Sequence, residues 1–412
     1  MTVWTPVWRV KINGVAYTSI SLSNVTISSG RTNIYEQANP SYCNLQLINT
    51  DKSNVLFAIN DGVTIEVQDS SSAYVPIFGG NISDIQVEVS QSGTVDYVQT
   101  ISITAIGALA RLNKALTEGV LTKDFDGDQI YSLLSDFLLN NWSEVPAALT
   151  WASYDPTITW ANAENVGLGE IDQPGDYELT ARSASTIDLY SICSDLASSA
   201  LGYLYEDAQG RICYADSTHR SEYLANNGYT EINGGNALAS GIRTVTRVGD
   251  VRNAVTITYK NNASVSASDS DSILEFGKLE EQFNTTLENG YDATDQADFY
   301  LALRAYPRAY FDALSYQLVN DQMTNLERDS LLNIFMGMPI RIQNLPNNMG
   351  AQFEGYVEGW TWSTTFNALA LTIIMTPVDF STVSQKWQSV SVAESWNTVS
   401  NTLEWQNAFV VA

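Results

Sequence analysis

Runs of alternating apolar and polar residues dominate both ends of the chain, and they predict strands with one buried face. Trp8-Arg9-Val10-Lys11-Ile12 alternates and then meets Asn13-Gly14, a dipeptide suited to the left-handed positions of a tight hairpin. Val63 to Val67 and Ile82 to Val89 alternate in the same way, and residues 105–116 read as a short helix with Leu109 and Leu112 inside. After residue 116 the period changes. Ile130, Leu133, Leu134, Phe137 and Leu138 share one face of an amphipathic helix. Ser185-Thr186-Ile187-Asp188 has capping-box spacing and opens a second helix carrying Leu189, Ile192, Cys193 and Leu196. A hairpin follows, Tyr203 to Glu206 and Arg211 to Tyr214, turning over Asp207 to Gly210. The stretch with Pro146, Pro156 and Pro174 has no period and reads as loop with short strands. Beyond residue 241 the pattern is β again. Asn253 to Tyr259 is a strand, Asn261 to Ser272 a surface loop, and Asp295 to Tyr306 a helix stopped by Pro307.

Two of the β stretches share one pattern at a distance of 275 residues. Gly62-Val63-Thr64-Ile65-Glu66-Val67 precedes Phe78-Gly79-Gly80-Asn81-Ile82, and Gly337-Met338-Pro339-Ile340-Arg341-Ile342 precedes Phe353-Glu354-Gly355-Tyr356-Val357. Glycine to phenylalanine is sixteen residues in both. Upstream, Leu45 to Asn49 is echoed by Tyr316 to Asn320; downstream, Ile101 to Thr104 is echoed by Leu369 to Thr372. Such a chain is either a duplicated β-module or two β-rich segments alike by chance. Duplication suggests a symmetric scaffold more than an enzyme.

Composition narrows the function. A chain of 412 residues can hold about three domains, each with its own core. Charged residues are scarce at 16%, so the polar surface must come from Asn, Ser, Thr and Gln. The 46 acidic residues against 20 basic give a net charge of −26, which repels nucleic-acid backbone and anionic lipid. The same charge keeps a protein soluble, and it would suit a channel that DNA crosses without sticking. Cys43, Cys193 and Cys213 form no C-x-x-C pair and read as small core residues. The first residues lack the pattern of a signal peptide, and no apolar run reaches membrane-spanning length.

The search for chemistry finds little. His219 is the single histidine, no G-x-S-x-G elbow accompanies it, and it reads as a surface or loop residue. Asp124-x-Asp126-Gly127-Asp128 begins like a calcium loop. However, Gln129 and Ser135 stand where that loop needs Gly and Glu. Asp124 or Asp126 reads instead as the N-cap of the helix starting near Gln129. No P-loop or dinucleotide fingerprint occurs. No catalytic, cofactor-binding or metal residue is assigned, and no cofactor is expected. In the last stretch, Trp387, Trp396 and Trp405 recur every nine residues, a spacing that puts them on no common face of one helix or strand. They read as anchors on an extended arm, which either docks on a neighbouring subunit or folds back on its own chain.

Several phrases together resemble one family. They are Ser29-Gly30-Arg31 with Asn39-Pro40-Ser41-Tyr42-Cys43, Phe78 to Asp84, Tyr205 to Ile212, Arg247 to Asn253, and Phe353 to Trp362 with Leu371 to Pro377. In that order they resemble the tail-tip hub (baseplate hub) minor tail proteins of long-tailed bacteriophages. The resemblance implies a mainly β fold with an α+β insertion. Two tail-tube-like β-barrels would be related by internal duplication, with helices between them. It divides the chain into a first barrel at 1–115, an inserted α+β region at 116–240, a second barrel at 241–378 and the tryptophan-bearing arm at 379–412. It implies a homotrimer that continues and closes the sixfold tail tube and anchors adsorption proteins. The partners would be a distal tail ring protein, a tape-measure protein and tail-tip or fibre proteins. DNA would be passing cargo only. The place would be the virion tail tip, with the protein made in host cytoplasm. The chief alternative is a tail-associated cell-wall hydrolase with its carboxylates in 116–240. A secreted carbohydrate-binding β-protein is disfavoured by the missing signal peptide and disulfides.

Overall fold

The computed structural model describes residues 4–17, 20–49, 57–92, 95–141, 168–240, 242–308, 310–365 and 368–378. Its centre is one sheet of thirteen strands. In chain order these are β1 (Trp8–Ile12), β2 (Val15–Ala16), β3 (Ile20–Gly30), β4 (Asn39–Asn49), β5 (Gly62–Gln68), β6 (Tyr74–Ser92) and β7 (Val95–Ile106). After the insertion come β8 (Thr230–Asn233), β9 (Ile242–Val245), β10 (Tyr310–Gln317), β11 (Pro339–Gln343), β12 (Gln352–Thr365) and β13 (Ala368–Pro377). The Asn13-Gly14 hairpin forms as its sequence demands, with φ of 51° and 75° between β1 and β2.

The duplication is visible in the connectivity. The first module runs β3-β4-β7-β6-β5-β1, and the second runs β9-β10-β13-β12-β11-β8. Each is a set of strands joined in the same order and with the same antiparallel sense. The exception is the last pair, where β1 lies antiparallel to β5 but β8 lies parallel to β11. Both long middle strands carry a bulge at the same point, Ser83 in β6 and Glu358 in β12. A bulge bends its strand. The half before it pairs with β5 or β11, and the half after it continues along β7 or β13.

The closed barrels expected from the resemblance do not form among the described residues. The two modules instead share one open sheet, because β3 of the first lies antiparallel against the outer half of β12 of the second. The register of the repeat also differs from the reading by eye. Leu45 and Leu47 correspond to Leu314 and Tyr316, since these face Ile103 and Ile101 in one module and Ile373 and Leu371 in the other. Similarly, Ile65 faces Phe78 while Ile342 faces Phe353. The echo of Phe78 in Phe353 is in register, five residues before each bulge, but those of Leu45–Asn49, Gly62–Val67 and Ile101–Thr104 are offset by two residues, a shift that leaves every side chain on the same face and so cannot be seen in an alternating pattern.

Inward residues of both modules belong to one apolar cluster. One row crosses five strands as Cys43, Ile27, Trp362, Leu371 and Tyr316, all buried.

The insertion follows α1 (Leu109–Leu112), whose Leu109 and Leu112 are buried as expected. It contains α2 (Asp126–Asn141), α3 (Leu189–Ser199), α4 (His219–Asn227) and a small sheet of Leu168–Ile171, Ile212–Ala215 and Tyr203–Glu206. In α2, Ile130, Leu133 and Leu134 are buried. The cap of α3 is Asp188, which accepts from Ser191 N at 2.8 Å, so the capping box expected to start at Ser185 is replaced by a single Asp cap. A second small unit interrupts the second module. Ala254–Tyr259 pairs with Ala263–Ser268 on one side and Glu280–Asn284 on the other. The stretch expected as a surface loop therefore holds a strand and the start of α5 (Ser270–Phe276). Helix α6 (Gly290–Arg304) starts five residues before the expected Asp295, and α7 (Asn325–Leu332) carries a capping box of Thr324 and Glu327. No helix among the described residues is long and apolar enough to cross a membrane. All three cysteines are buried and reduced.

Candidate functional site

Three features could carry function: a buried ionic joint, a set of buried carboxylates, and the outward face of the sheet. The joint holds the two modules and the insertion together. Glu358, in the β12 bulge, is fully buried and accepts from Arg31 Nε at 2.6 Å and from both Arg220 terminal nitrogens, at 2.7 and 3.1 Å. Thr376 of β13 donates to the same carboxylate, and the Arg220 guanidinium lies 4.5 Å from the centre of the Tyr203 ring. Burial alone would raise the Glu358 carboxyl, but Arg220 and then Arg31 overcome it and bring it down to about 2. The chains approach closely here. Gly30 has φ of 86°, and a Cβ on it would stand 2.3 Å from the Glu358 carbonyl oxygen.

A second joint ties the insertion to the first module. The turn of the Tyr203–Glu206 hairpin rests on β6, so that a Cβ on Gly79 would stand 2.2 Å from the Gln209 carbonyl carbon. Glu206 reaches across to accept the backbone N–H groups of Ser41 and Leu109. Its surroundings raise its carboxyl to about 7, by burial first, against the pull of those donors.

Among the described residues, the carboxyls of the insertion raised toward neutrality sit in buried contacts. Asp126 and Glu170 are both raised to about 7, chiefly by burial. Asp126 is turned toward Tyr177 N, at 2.8 Å, and the Tyr214 hydroxyl, within the first turn of α2. It therefore staples a neighbouring loop where the sequence suggested an N-cap. His219 is buried, at 1% exposure, and its Nδ1 lies 2.7 Å from Asp172 Oδ2. The expectation of a surface histidine is thus corrected: Tyr203 and Tyr205 pack edge-on against its ring. The hydroxyls just before it in sequence point elsewhere: Thr218 donates to Asp216 and Ser217 to Asp176. No group of three or more metal-ligating side chains is arranged for a metal among the described residues. Trp387, Trp396 and Trp405 lie outside the described residues.

The outward face of the sheet runs continuously across both modules. One row crosses seven strands as Asp84, Thr104, Asn44, Thr26, Ser363, Ala370 and Gln317. A second reads Tyr42, Ser28, Thr361, Thr372 and Ser315. Hydroxyls and amides bond along these rows, as in Thr104 to Asn44 at 3.2 Å and Ser315 with Thr372 at 2.8 Å. None of the chain's 20 lysines and arginines falls in β3, β4, β6, β7, β10, β12 or β13. Over these seven strands the face is polar and has no cation with which to hold a phosphate; Arg243, on the edge strand β9, borders it.

Two solved structures align with nearly the whole chain. A tail protein from Neisseria meningitidis matches with a TM-score of 0.59 at 11% identity, covering 92% of this chain and 98% of that one. The 43 kDa tail protein of prophage MuSo2 from Shewanella oneidensis matches with a TM-score of 0.56 at 12% identity, covering 91% and 98%. The chain has the fold of these tail proteins. No family model matches its sequence, and no curated protein does.

The phrases that carried the sequence resemblance turn out to meet in pairs. Ser29-Gly30-Arg31 lies on Glu358-Gly359, and Phe78-Gly79-Gly80 lies under Gln209-Gly210. The Arg220 partner of Glu358 and the His219–Asp172 pair were not singled out. Their one sequence signal was charge adjoining an apolar hairpin.

Proposed function

We propose that this chain is a structural component of a phage-type tail. Its broad polar sheet would form part of the wall of a channel at the tail tip, through which DNA passes. The observation that carries this is a polar face without lysine or arginine over seven adjacent strands of both modules, in a chain with a tail-protein fold. Duplex DNA binds proteins largely through lysine and arginine contacts to phosphate. A wall of Ser, Thr, Asn and Gln offers hydration without such contacts, so cargo would slide past it. Two like modules per chain would give six in a closed ring of three copies, the homotrimer that fits a sixfold tube. A distal tail ring, a tape-measure protein and fibre or tip proteins would be its neighbours.

The rival reading is a cell-wall hydrolase using carboxylates of 116–240. Asp126, Glu170 and Glu206, the carboxyls raised to about 7, are buried, and Asp216, raised by burial and by Asp172 and Asp176, is half-buried with its carboxylate engaged by Thr218 and His219 N. That supports a structural role over catalysis on a polymer. Electron microscopy of the purified protein tests the proposal: a threefold ring with the polar face of the sheet toward its hole is expected. A monomer that clears cell wall in a zymogram would replace this reading with the hydrolase.

A further inference from the structure

The joint between the modules is a strand pairing, and the duplication supplies a second copy of each of its halves. Within the chain, β3 lies against the outer half of β12 with Ile27 opposite Trp362, Thr26 opposite Ser363 and Val25 opposite Thr364. The counterpart of β3 is β9. Val25 faces Leu45 on β4, and Ile242 faces Leu314 on β10, where Leu45 and Leu314 hold equivalent places. The counterpart of the outer half of β12 is the outer half of β6, each starting at its bulge, Glu358 and Ser83. Among the described residues β9 ends the sheet, and the outer half of β6 has a strand, β7, on one side only. An uncovered edge of this kind is a template for another strand.

We propose that β9 of one copy pairs antiparallel with residues 86–89 of a second copy, in the register of the internal joint. Thr244 then stands opposite Val87, Arg243 opposite Glu88 and Ile242 opposite Val89. The side chains fit this register. Arg243 and Glu88 are both exposed and carry opposite charges. Glu88 faces Thr100 on the outward side of the sheet, and Arg243 faces Ala313 there, so both lie on one face. On the other face Val87 and Val89 are 49% and 58% exposed, in places where the internal joint has the buried Trp362 and Thr364. A second copy would cover them with Ile242. The joint is heterologous, since a different edge is used on each side. The step from copy to copy is then the same as the step from module to module, and three copies close into a ring when six such steps complete one turn. This contact rests on the ring reading above and supplies its residues.

Charge reversal tests it. Arg243→Glu or Glu88→Arg alone should weaken self-association of the full chain at least about tenfold, by mass photometry, because like charges then face each other. The combined swap should restore it. In a second test, the double variant Arg243→Cys with Glu88→Cys, treated with a short bis-maleimide, should give covalent dimers and trimers and nothing larger. The native cysteines are buried and stay out of the reaction. A trimer that ignores both reversals and gives no cross-link would overturn the joint and leave the ring standing. A chain that stays monomeric, uncross-linked at high concentration, would overturn both.

Discussion

Replacing Glu358 by Gln keeps the size of the side chain and removes the one anion held between Arg31 and Arg220. The cost can be worked out in two ways. The carboxyl is drawn from an ordinary 4.5 to about 2, with burial opposing and Arg220 and Arg31 prevailing. That difference of about 2.5 units, at about 1.36 kcal/mol each, is a folded-state preference for the charged form of roughly 3.4 kcal/mol. Independently, removing one member of a buried ion pair costs about 3–5 kcal/mol, because the partner is left charged and dry. We therefore expect Glu358→Gln to lose about 3–4 kcal/mol at pH 7. The pH dependence fixes the cause. The folded carboxyl titrates below the unfolded one, so its contribution is fully present above about pH 4.5 and is lost as the pH falls toward 2. The gap between wild type and variant should thus be widest at neutral pH and narrow steadily below pH 4.5. Urea unfolding at a series of pH values, followed by tryptophan fluorescence, measures it. Trp360 and Trp362 sit in the same strand. A gap under about 1 kcal/mol at pH 7, or one that does not shrink in acid, would refute the reasoning.

Other outcomes follow from the same structure. Gly79→Ala pushes a Cβ into the Gln209 backbone, so the hairpin should lift from β6, with a loss of about 1–3 kcal/mol and faster proteolysis near residues 207–210. Asp126→Asn keeps partners for Tyr177 N and Tyr214 but removes a buried carboxyl raised to about 7. The raised carboxyl favours folding below its unfolded value near 3.8 and loses that contribution as pH rises through 7. The variant should therefore gain melting temperature relative to wild type at pH 8 more than at pH 4. Thr26→Lys with Ser363→Lys puts cations on the outward face. The double variant should bind duplex DNA in fluorescence anisotropy, weakening with a salt slope of about −0.9 per phosphate contacted, while the native chain should not bind.

How much of this was legible beforehand depended on period and on burial. Strands such as β1 and β5 and the Asn13-Gly14 turn follow from alternation and from left-handed backbone, both local properties. The repeat was visible because both modules must bury the same face. Its register was not, because a two-residue slip conserves that face and only the bulges at Ser83 and Glu358 pin the alignment. The stretch 261–272 was misread because Ala-Ser-Val-Ser-Ala-Ser has the composition of a loop. It becomes a strand by pairing along Ala254–Tyr259, a tertiary contact that propensity does not contain. His219 was misplaced for a related reason. A polar residue is buried only when a partner is waiting, and Asp172 lies 47 residues away in sequence.

The family phrases were informative for a reason that alternation could not supply. Gly30 and Gly359 allow two backbones to meet at the module joint, and Gly79 and Gly210 do so at the hairpin. A position where any Cβ would collide with backbone tolerates only glycine, and a fully buried Glu358 tolerates only residues that can answer two guanidiniums. The strands between such points need only be apolar on one side and polar on the other, so their sequences can drift while the joints cannot. Solved structures at 11% and 12% identity still align over nine-tenths of this chain. The outward face is constrained differently: what it excludes, a lysine or arginine in seven consecutive partners of the sheet, leaves no motif and is visible only once the strands are assembled.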